Sequence, residues 1–341
     1  METTIFSKQE LPAAAAALRA GQLVAFPTET VYGLGADAFN EAAVKQVYAA
    51  KGRPSDNPLI VHVADIATVT ALTEPLSDAA LALMDAFWPG SLTMIFKLKP
   101  GALSKAVTGG LSTAAFRFPA NDTTLALIKE LGRPMVGPSA NTSGKPSPTT
   151  AQHVYHDLQG KIAGIVDDGP TTVGVESTVL DMSTGHPAIL RPGAVTPEQI
   201  EAVIHEPVAT ELHKVGAKET PKAPGMKYKH YAPAAQVEIV NDGDWAAALT
   251  WAAKQDGPVG LMATTGRLDG LTIPANVEIF PLGSNVAGAS HALFAGLRHF
   301  DDEGAVHNIL AEGFAESGLG LAYMNRLKKA AGNVFFSSTM A

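Results

Sequence analysis

The sequence contains no cysteine among its 341 residues. Disulfides, a thiol nucleophile and a thiolate metal site are therefore excluded, and the absence fits a reducing compartment. No apolar run approaches the roughly 18 residues that a membrane-spanning helix needs. The first residues also lack a basic segment followed by an apolar run. We therefore expect no signal peptide, no membrane association and a cytoplasmic location.

Positive charge is in deficit. Lys and Arg number 25 against 33 Asp and Glu, which gives a net charge of −8. A protein that coats nucleic acid usually presents a basic face, so the composition argues against stable nucleic-acid binding but allows a small basic cleft. The length favours two domains, and 46% hydrophobic residues suffice for ordinary cores.

Two nucleotide-binding motifs are incomplete. Residues 144–146 read Gly-Lys-Pro, and no glycine stands where a P-loop requires the first one. Residues 33–38 read GLGADA and fit the dinucleotide pattern formally. However, residues 27–33 separate this pattern from the preceding predicted strand, and no helix opens at it. Neither motif therefore carries a prediction.

The most informative stretch is 50–62, which reads AKGRPSDNPLIVH. Lys51 and Arg53 flank a glycine in a tight turn, two prolines bar a helix, and a short buried strand ends at His62. Two fixed cations at the mouth of a strand predict a polyanion site, and a solvated basic loop is the alternative. For His62 the alternative to a binding role is a core histidine bonded to backbone.

Other polar groups follow predicted strands, where open α/β sheets bind ligands. The 139–143 loop offers hydroxyls and amides to phosphate oxygens, unless it is an ordinary capped turn. Arg117 stands in an apolar strand, so its charge needs either a ligand carboxylate or an intramolecular Arg–Asp pair. The spacing does not distinguish the two. His153 and His156 lie three apart on a predicted helix face without a third ligand, which favours solvated or hydrogen-bonded side chains over a metal site.

Periodicity, caps and turns predict alternating strands and helices in both halves of the chain. In the first half the predicted helices are 9–20, 40 to about 50, 77–87, 121–131 and one that opens at 196, and the strands are 23–26, 59–62, 92–98, 113–118, 135–137, 162–166, 177–181 and 189–191. In the second half the strands are 237–240 and 259–262, and the helices are 244–254, about 286–300 and 322–331. Between the halves, residues 212–231 show no period and carry five lysines and one glutamate, so they read as a linker.

Three stretches together resemble the signatures of the YrdC-like threonylcarbamoyl-AMP synthases. They are 26–34 (FPTETVYGL), 51–62 and 138–144 (PSANTSG). Residues 224–233 (PGMKYKHYAP) resemble the linker of the two-domain form, although Ala223 stands where that motif often has Ser.

The resemblance implies an α/β architecture in three parts. Residues 1–206 would form a YrdC-like catalytic domain with a twisted, open, mixed sheet and helices. Residues 207–235 would form a basic linker, which we expect to act as a lid over the ATP site, because a mere tether would favour Gly and Ser. A basic spacer that only joins the two domains is the alternative. Residues 236–341 would form a smaller Rossmann-like α/β domain.

The resemblance also implies a reaction. L-Threonine, bicarbonate or CO2, and ATP would give threonylcarbamoyl-AMP and pyrophosphate. A partner transferase would then pass the threonylcarbamoyl group to adenosine in tRNAs that read codons beginning with A.

Site residues follow from the same resemblance. The threonine pocket would comprise Thr30, His62, Arg117, Ser139 and Ser177. The ATP site would comprise Lys51, Arg53, Asn57, Thr113, Asn141, Thr149 and Arg191, with His230 or Tyr231 reaching in from the linker. Lys51 and Arg53 would stabilise charge on the triphosphate, together with Mg2+ held mainly by the phosphates.

Two other functions are alternatives. A non-catalytic RNA-binding protein could use the same cationic cleft, but the net charge and the lack of an aromatic-rich recognition strand oppose it. A carbamoyltransferase is the second, because YrdC-like domains also occur in hydrogenase-maturation carbamoyltransferases. Those proteins carry zinc-finger and acylphosphatase-like domains, which this sequence lacks.

Overall fold

Contacts along the chain divide the protein into two units. The computed structural model describes residues 2–55, 57–210, 221–222, 231–304 and 306–337. The N-terminal unit comprises Met1–Ser143, Ser147–Thr172 and Glu176–Tyr228, and the C-terminal unit comprises Gly144–Pro146, Val173–Val175 and Lys229–Ala341. The predicted domain boundaries stay predictions, because much of the stretch between 207 and 235 lies outside the described residues.

A mixed sheet organises the N-terminal unit. Its strands are β1 (Thr4–Phe6), β2 (Val24–Phe26), β3 (Gly33–Asp37), β4 (Ile60–His62), β5 (Leu92–Lys97), β6 (Thr113–Arg117), β7 (Met135–Val136), β8 (Gly164–Val166), β9 (Thr178–Asp181) and β10 (Ala188–Arg191). Within the described residues these ten strands form one sheet in the order β1-β8-β2-β3-β7-β4-β6-β5-β9-β10. β4 and β6 are parallel, whereas β5 runs antiparallel to β6. The predicted mixed α/β sheet is confirmed.

Helices accompany this sheet along the chain. They are α1 (Leu11–Arg19), α2 (Glu41–Lys51), α3 (Ile66–Leu72), α4 (Asp78–Phe87), α5 (Lys105–Thr108), α6 (Asp122–Leu131), α7 (Ala151–Leu158) and α8 (Pro197–Ile204), with a 3-10 turn at Lys8–Glu10. α8 begins with the predicted capping box of Thr196 and Gln199. The sequence analysis did not predict β1, β3, α3 or α5.

α2 shows how local sequence places a predicted site residue. Asn40 caps the helix by accepting from the Ala43 N–H at 3.1 Å, and Gly52 ends it at a φ of 62°. Val44 and Val47 are fully buried, as the helical period predicts. The helix therefore delivers the last residue before Gly52, Lys51, to the start of the basic turn.

The Gly-Leu-Gly pattern at 33–35 belongs to a buried strand. A Cβ at Gly33 would lie 2.5 Å from Phe26 Cζ, and a Cβ at Gly35 would lie 2.6 Å from the Val24 carbonyl oxygen. These glycines thus allow β3 to pack closely against β2, and the strand assignment agrees with the rejection of a dinucleotide motif.

A smaller parallel sheet organises the C-terminal unit. Its strands are β11 (Gln236–Val240), β12 (Val259–Ala263), β13 (Val277–Pro281) and β14 (Asn308–Glu312), and its helices are α9 (Trp245–Ala252), α10 (Thr265–Leu268), α11 (Val286–Glu303) and α12 (Leu319–Ala331). In the described residues the strand order is β11-β14-β12-β13, with every pair parallel. The predicted second α/β fold is confirmed, although β13, β14 and α10 were missed. Among the helices that the structure describes, none is long and apolar enough to cross a membrane.

Because Asn40 supplies the N-cap of α2, we predict that Asn40→Ala lowers the free energy of unfolding by about 1 kcal/mol. Asn40→Asp is the matched control, because it keeps the acceptor and adds negative charge at the helix N-terminus. Urea denaturation measures both variants. Equal stability of the alanine variant and the unaltered protein would contradict the role of this cap.

Candidate active site

One face of the large sheet carries a row of polar side chains. His62 pairs with Arg117 across β4 and β6, and Thr93 pairs with Arg117 across β5 and β6. Since paired residues point to the same face, these three side chains lie side by side. All three residues are at most 4% exposed. Next to this row on the same face lies a buried apolar cluster, formed two residues along each strand by Ile60, Ile95 and Ala115 and, across from Thr93, by Val179.

Arg117 is held by the loop that follows β2. Its Nη1 donates to Thr30 Oγ1 at 2.7 Å, and its Nε donates to the Gly90 carbonyl at 3.4 Å. Its Nη2 lies 2.7 Å from Glu29 Oε1, as a buried ion pair. This contact lacks hydrogen-bond geometry, and Nη2 has no hydrogen-bond partner among the described residues. Of the two expectations for Arg117, an intramolecular acid pair is therefore present, with Glu29 in place of an aspartate.

Glu29 joins three segments of the N-terminal unit. Besides Arg117, its carboxylate accepts from Ser91 Oγ at 2.9 Å and from the Ala120 N–H at 3.1 Å. Neither Glu29 nor Ser91 was among the predicted site residues. The only sequence signal was the place of Glu29 inside the 26–34 signature, because its partners lie far along the chain.

His62 is a buried, neutral imidazole. Its ring is edge-on to Phe26, with the ring centroids 5.1 Å apart. Burial, and then the positive charge of Arg117, hold the pKa of His62 well below its usual range. A Cβ at Gly137 would lie 2.8 Å from His62 Nδ1, so a larger residue at 137 would displace the ring. His62 is thus buried, and it lies beside Arg117, another residue predicted for the threonine-binding pocket.

A second hydrogen-bonded group continues the polar row. The hydroxyls of Thr93 and Ser177 are 2.7 Å apart. Arg191 donates from Nη2 to the Ser177 carbonyl at 2.9 Å and to the Ser177 hydroxyl at 3.2 Å. Ser177 and Arg191, which only the family resemblance had indicated, therefore lie together. Thr93 completes the group and was missed, although its alternation in β5 places it on the same face.

Lys51 binds the 139–143 loop. Its ammonium donates to the carbonyls of Ser139 and Asn141 at 2.5 and 2.6 Å, and its own carbonyl accepts from the Ser143 N–H at 2.9 Å. Lys51 is 3% exposed, so the expectation of a solvated basic loop is wrong for this cation. It links the basic turn to the loop that carries further predicted site residues.

Arg53 and Asn57 occupy the following turn. Arg53 is half-buried, and its Nη2 lies 3.3 Å from the carbonyls of Asn57 and Pro58. The Asn57 side chain is fully buried, and its Oδ1 and Nδ2 have no hydrogen-bond partner in the described part of the chain. Thr113 begins β6 four residues before Arg117, an even spacing in a strand, so both side chains face the same side of the sheet.

The remaining predicted residues lie in the 138–149 stretch. Ser139 is half-buried and bridges to Gly33, while Asn141 is buried and donates from Nδ2 to the Thr142 carbonyl at 2.8 Å. The Thr149 hydroxyl is 3.3 Å from His153 Nδ1. His153 is therefore hydrogen-bonded, in line with the expectation for the 153 and 156 pair.

Two buried groups near this stretch were not predicted to be paired. Ser147 donates from its hydroxyl to Glu176 Oε1 at 2.6 Å. Among the described residues, no cluster of three or more histidine, aspartate or glutamate side chains could hold a metal ion. Because Glu29 and Glu176 accept hydrogen bonds from the protein, the site offers cations, hydroxyls and amides more than free carboxylates.

Of the two linker candidates, His230 lies outside the described residues. Tyr231 is 5% exposed and packs within the C-terminal unit, with its ring centroid 5.1 Å from that of Phe294 and 5.9 Å from the Arg326 guanidinium. A contact of either residue with ATP stays a prediction.

Comparison with known families covers almost the whole chain. The family model described as telomere recombination, which carries the names Sua5, YciO and YrdC, matches residues 16–193. The family model described as threonylcarbamoyl-AMP synthase, C-terminal domain, matches residues 195–332.

Individual relatives agree with these two matches. The threonylcarbamoyl-AMP synthase of Bacillus subtilis is 51% identical, over 95% of this chain and 93% of the relative. The enzyme of the same name from Schizosaccharomyces pombe is 40% identical, over 92% of this chain and 85% of the relative. The crystal structure of Pyrococcus abyssi Sua5 complexed with L-threonine matches with a TM-score of 0.89 and 43% identity, over 99% of this chain and 100% of that one.

These matches first define a protein with a Sua5, YciO and YrdC domain followed by a second, family-specific domain. The chain belongs to the threonylcarbamoyl-AMP synthase family, in its two-domain form. The family and the fold class predicted from the sequence are confirmed.

The buried neutral state of His62 predicts an acid-sensitive stability. Since the unfolded chain binds a proton near pH 6.5 and the folded chain does not, this group's stabilising contribution is complete above about pH 6.5 and falls as the pH drops below it. His62→Gln should therefore make the free energy of unfolding fall less steeply between pH 6.5 and 4.5, with a slope smaller by up to about 1.4 kcal/mol per pH unit. Chemical denaturation at several pH values measures this difference. Parallel pH profiles for the two proteins would show that His62 does not contribute to it.

Proposed function

We propose that this chain makes threonylcarbamoyl-AMP and pyrophosphate from L-threonine, bicarbonate or CO2, and ATP. The single observation that carries the proposal is 51% identity, over 95% of the chain, to an enzyme of that name. The predicted class of enzyme, a nucleotidyltransferase that forms an adenylate, is confirmed by these relatives. The product would pass to a separate transferase that modifies adenosine in tRNA, so the chain itself would need no stable contact with nucleic acid.

The geometry of Arg117 supports threonine binding at the polar row. A guanidinium has five N–H groups, and its planar fork matches the two oxygens of a carboxylate. Arg117 uses one N–H of Nη1 on Thr30, and its Nη2 is not hydrogen-bonded among the described residues. Both terminal nitrogens therefore keep a donor for the threonine carboxylate. Glu29 would orient the guanidinium, and His62, Ser139 and Ser177 would complete the pocket.

The opposite end of the same face would hold ATP. Thr113 and Arg117 are four residues apart in one strand, which corresponds to about 13 Å. The buried side-chain amide of Asn57 has no hydrogen-bond partner among the described residues, which supports a contact with ATP in the turn that also carries Arg53. The ATP site would comprise Lys51, Arg53, Asn57, Thr113, Asn141, Thr149 and Arg191.

The chemistry needs placement and charge more than a protein nucleophile. The neutral threonine amine would attack CO2 to give a carbamate. A carbamate oxygen would then attack the α-phosphorus of ATP, and the bond to the pyrophosphate leaving group would break. Lys51 and Arg53 would stabilise the developing charge, and the low exposure of Lys51 strengthens its field. ATP would bind as its Mg2+ complex, because the phosphates supply the oxygen ligands that the paired carboxylates of the site do not.

The role of the basic linker as a lid that excludes water from the adenylate is also a proposal. Most of residues 212–231 lies outside the described residues. One described contact supports it: Lys222 forms an ion pair with the buried Asp181, at the end of β9, with an N–O distance of 2.9 Å. No observation favours the RNA-binding or carbamoyltransferase alternatives.

The proposed activity has a direct test. Purified protein with Mg2+, ATP, labelled bicarbonate and L-threonine should release pyrophosphate and move the label into an adenylate. The control reaction without threonine should do neither. Equal turnover in the two reactions would refute the proposal.

Because Arg117 is proposed to bind the substrate carboxylate, Arg117→Gln should raise the KM for threonine roughly 10- to 100-fold, the value of a hydrogen bond to a charged group. The KM for ATP should change much less. Arg133→Gln is the matched control, because Arg133 also pairs with a buried aspartate, Asp37, but is itself 58% exposed. Thermal melting identifies a variant that fails to fold because Glu29 has lost its partner. A folded variant with an unchanged KM for threonine would make Arg117 a structural charge.

A further inference from the structure

Residues 144–146 interrupt the stretch that carries three of the predicted site residues. Ser139 and Asn141 precede this segment, and Thr149 follows it. The segment belongs to the C-terminal unit, together with residues 173–175. Contacts that hold it therefore act on a loop of the proposed active site through the continuity of the chain.

α11 holds this segment at two positions on one helical face. Arg298, which is 3% exposed, donates from Nη2 to the Pro146 carbonyl at 2.6 Å. Three residues further along, Asp301 Oδ2 accepts from the Lys145 ammonium at 2.6 Å. Residues three apart on a helix are neighbours on its surface, so both contacts come from the same side of α11.

Asp301 also binds the segment that follows the linker. Its Oδ1 accepts from the Ala234 N–H at 2.6 Å, and the Ala232 N–H donates to the Gly144 carbonyl at 3.0 Å. The two oxygens of a single carboxylate thus connect residue 145 to the chain that leaves the linker.

The second segment touches the same helix. Gly174 has a φ of +82°, and a Cβ there would lie 2.4 Å from the backbone of His291. The chain then continues directly to Glu176, as residue 146 continues to Ser147. The side chains of Ser147 and Glu176 form a buried hydrogen bond of 2.6 Å. α11 therefore fixes the backbone immediately before both members of this pair.

We propose that Arg298 and Asp301 are positioning residues for the 138–149 stretch, and hence for binding of the nucleotide. This inference rests on the function proposed above. α11 does not contact the reacting atoms in this proposal. It limits the motion of a loop whose first half is held by Lys51 and whose second half begins at Ser147. Removing the α11 contacts should leave the loop present but mobile, and a mobile loop binds ATP less tightly because binding must order it.

Two readouts test the proposal in the full-length protein. In Asp301→Ala, amide hydrogen exchange in peptides covering 139–149 should become roughly tenfold faster or more without any ligand, because two charge-assisted contacts are lost. The KM for ATP should rise several-fold, with a smaller change in kcat. Lys145→Gln should show the same pattern more weakly, because this partly exposed pair contributes less.

Lys328→Gln is the matched control. It removes another lysine–carboxylate pair of the C-terminal unit, with Glu316, and should change neither readout. Lys145→Gln also serves if Asp301→Ala fails to fold, since Lys145 is 43% exposed. Unchanged exchange in the folded variants, or faster exchange with an unchanged KM for ATP, would overturn the proposal. If the unaltered protein has no threonine-dependent activity, the proposed function fails, whereas the exchange measurement still reports on the contacts of α11.

Discussion

The buried ion pair between Arg117 and Glu29 is the interaction on which the polar row depends. A buried guanidinium is costly without a partner, and Glu29 lies 2.7 Å from it. The same carboxylate accepts from Ser91 and Ala120, so one side chain ties the loop after β2 to the segments around β5 and β6. Glu29 balances the charge of Arg117, and Arg117 still has N–H donors on both terminal nitrogens that can bind a ligand carboxylate.

Strand register turns this pair into a site. His62, Arg117 and Thr93 are neighbours because β4, β6 and β5 pair in that order, and a shift by one residue would send them to the other face. The neighbouring positions on the same face, two residues along each strand, carry apolar side chains, so the polar row borders a buried hydrophobic cluster. In such a low-dielectric setting the field of Arg117 acts strongly on its neighbours, and it contributes to the lowered pKa of His62.

Local signals predicted most of the N-terminal elements. The cap at Asn40, the inward positions Val44 and Val47, and the capping box at Thr196 each involve residues within one or two helical turns. Not every strand was predicted. β14 has five residues, like the predicted β11 and β12, and its place between them comes from pairing with both neighbours and not from its own propensity.

The sequence by itself determined the family, the α/β class, and the predicted Lys51–Arg53 and Arg117 positions, because signature stretches and single charges in apolar strands are local features. Only the tertiary structure decided which groups meet. Glu29 lies 88 positions before Arg117, and Thr93 lies 84 positions before Ser177. Lys51, predicted in a tight turn at the mouth of a strand, is buried against the carbonyls of Ser139 and Asn141. Such contacts follow from strand order and register, which depend on how all the apolar faces are buried together and not on any one segment.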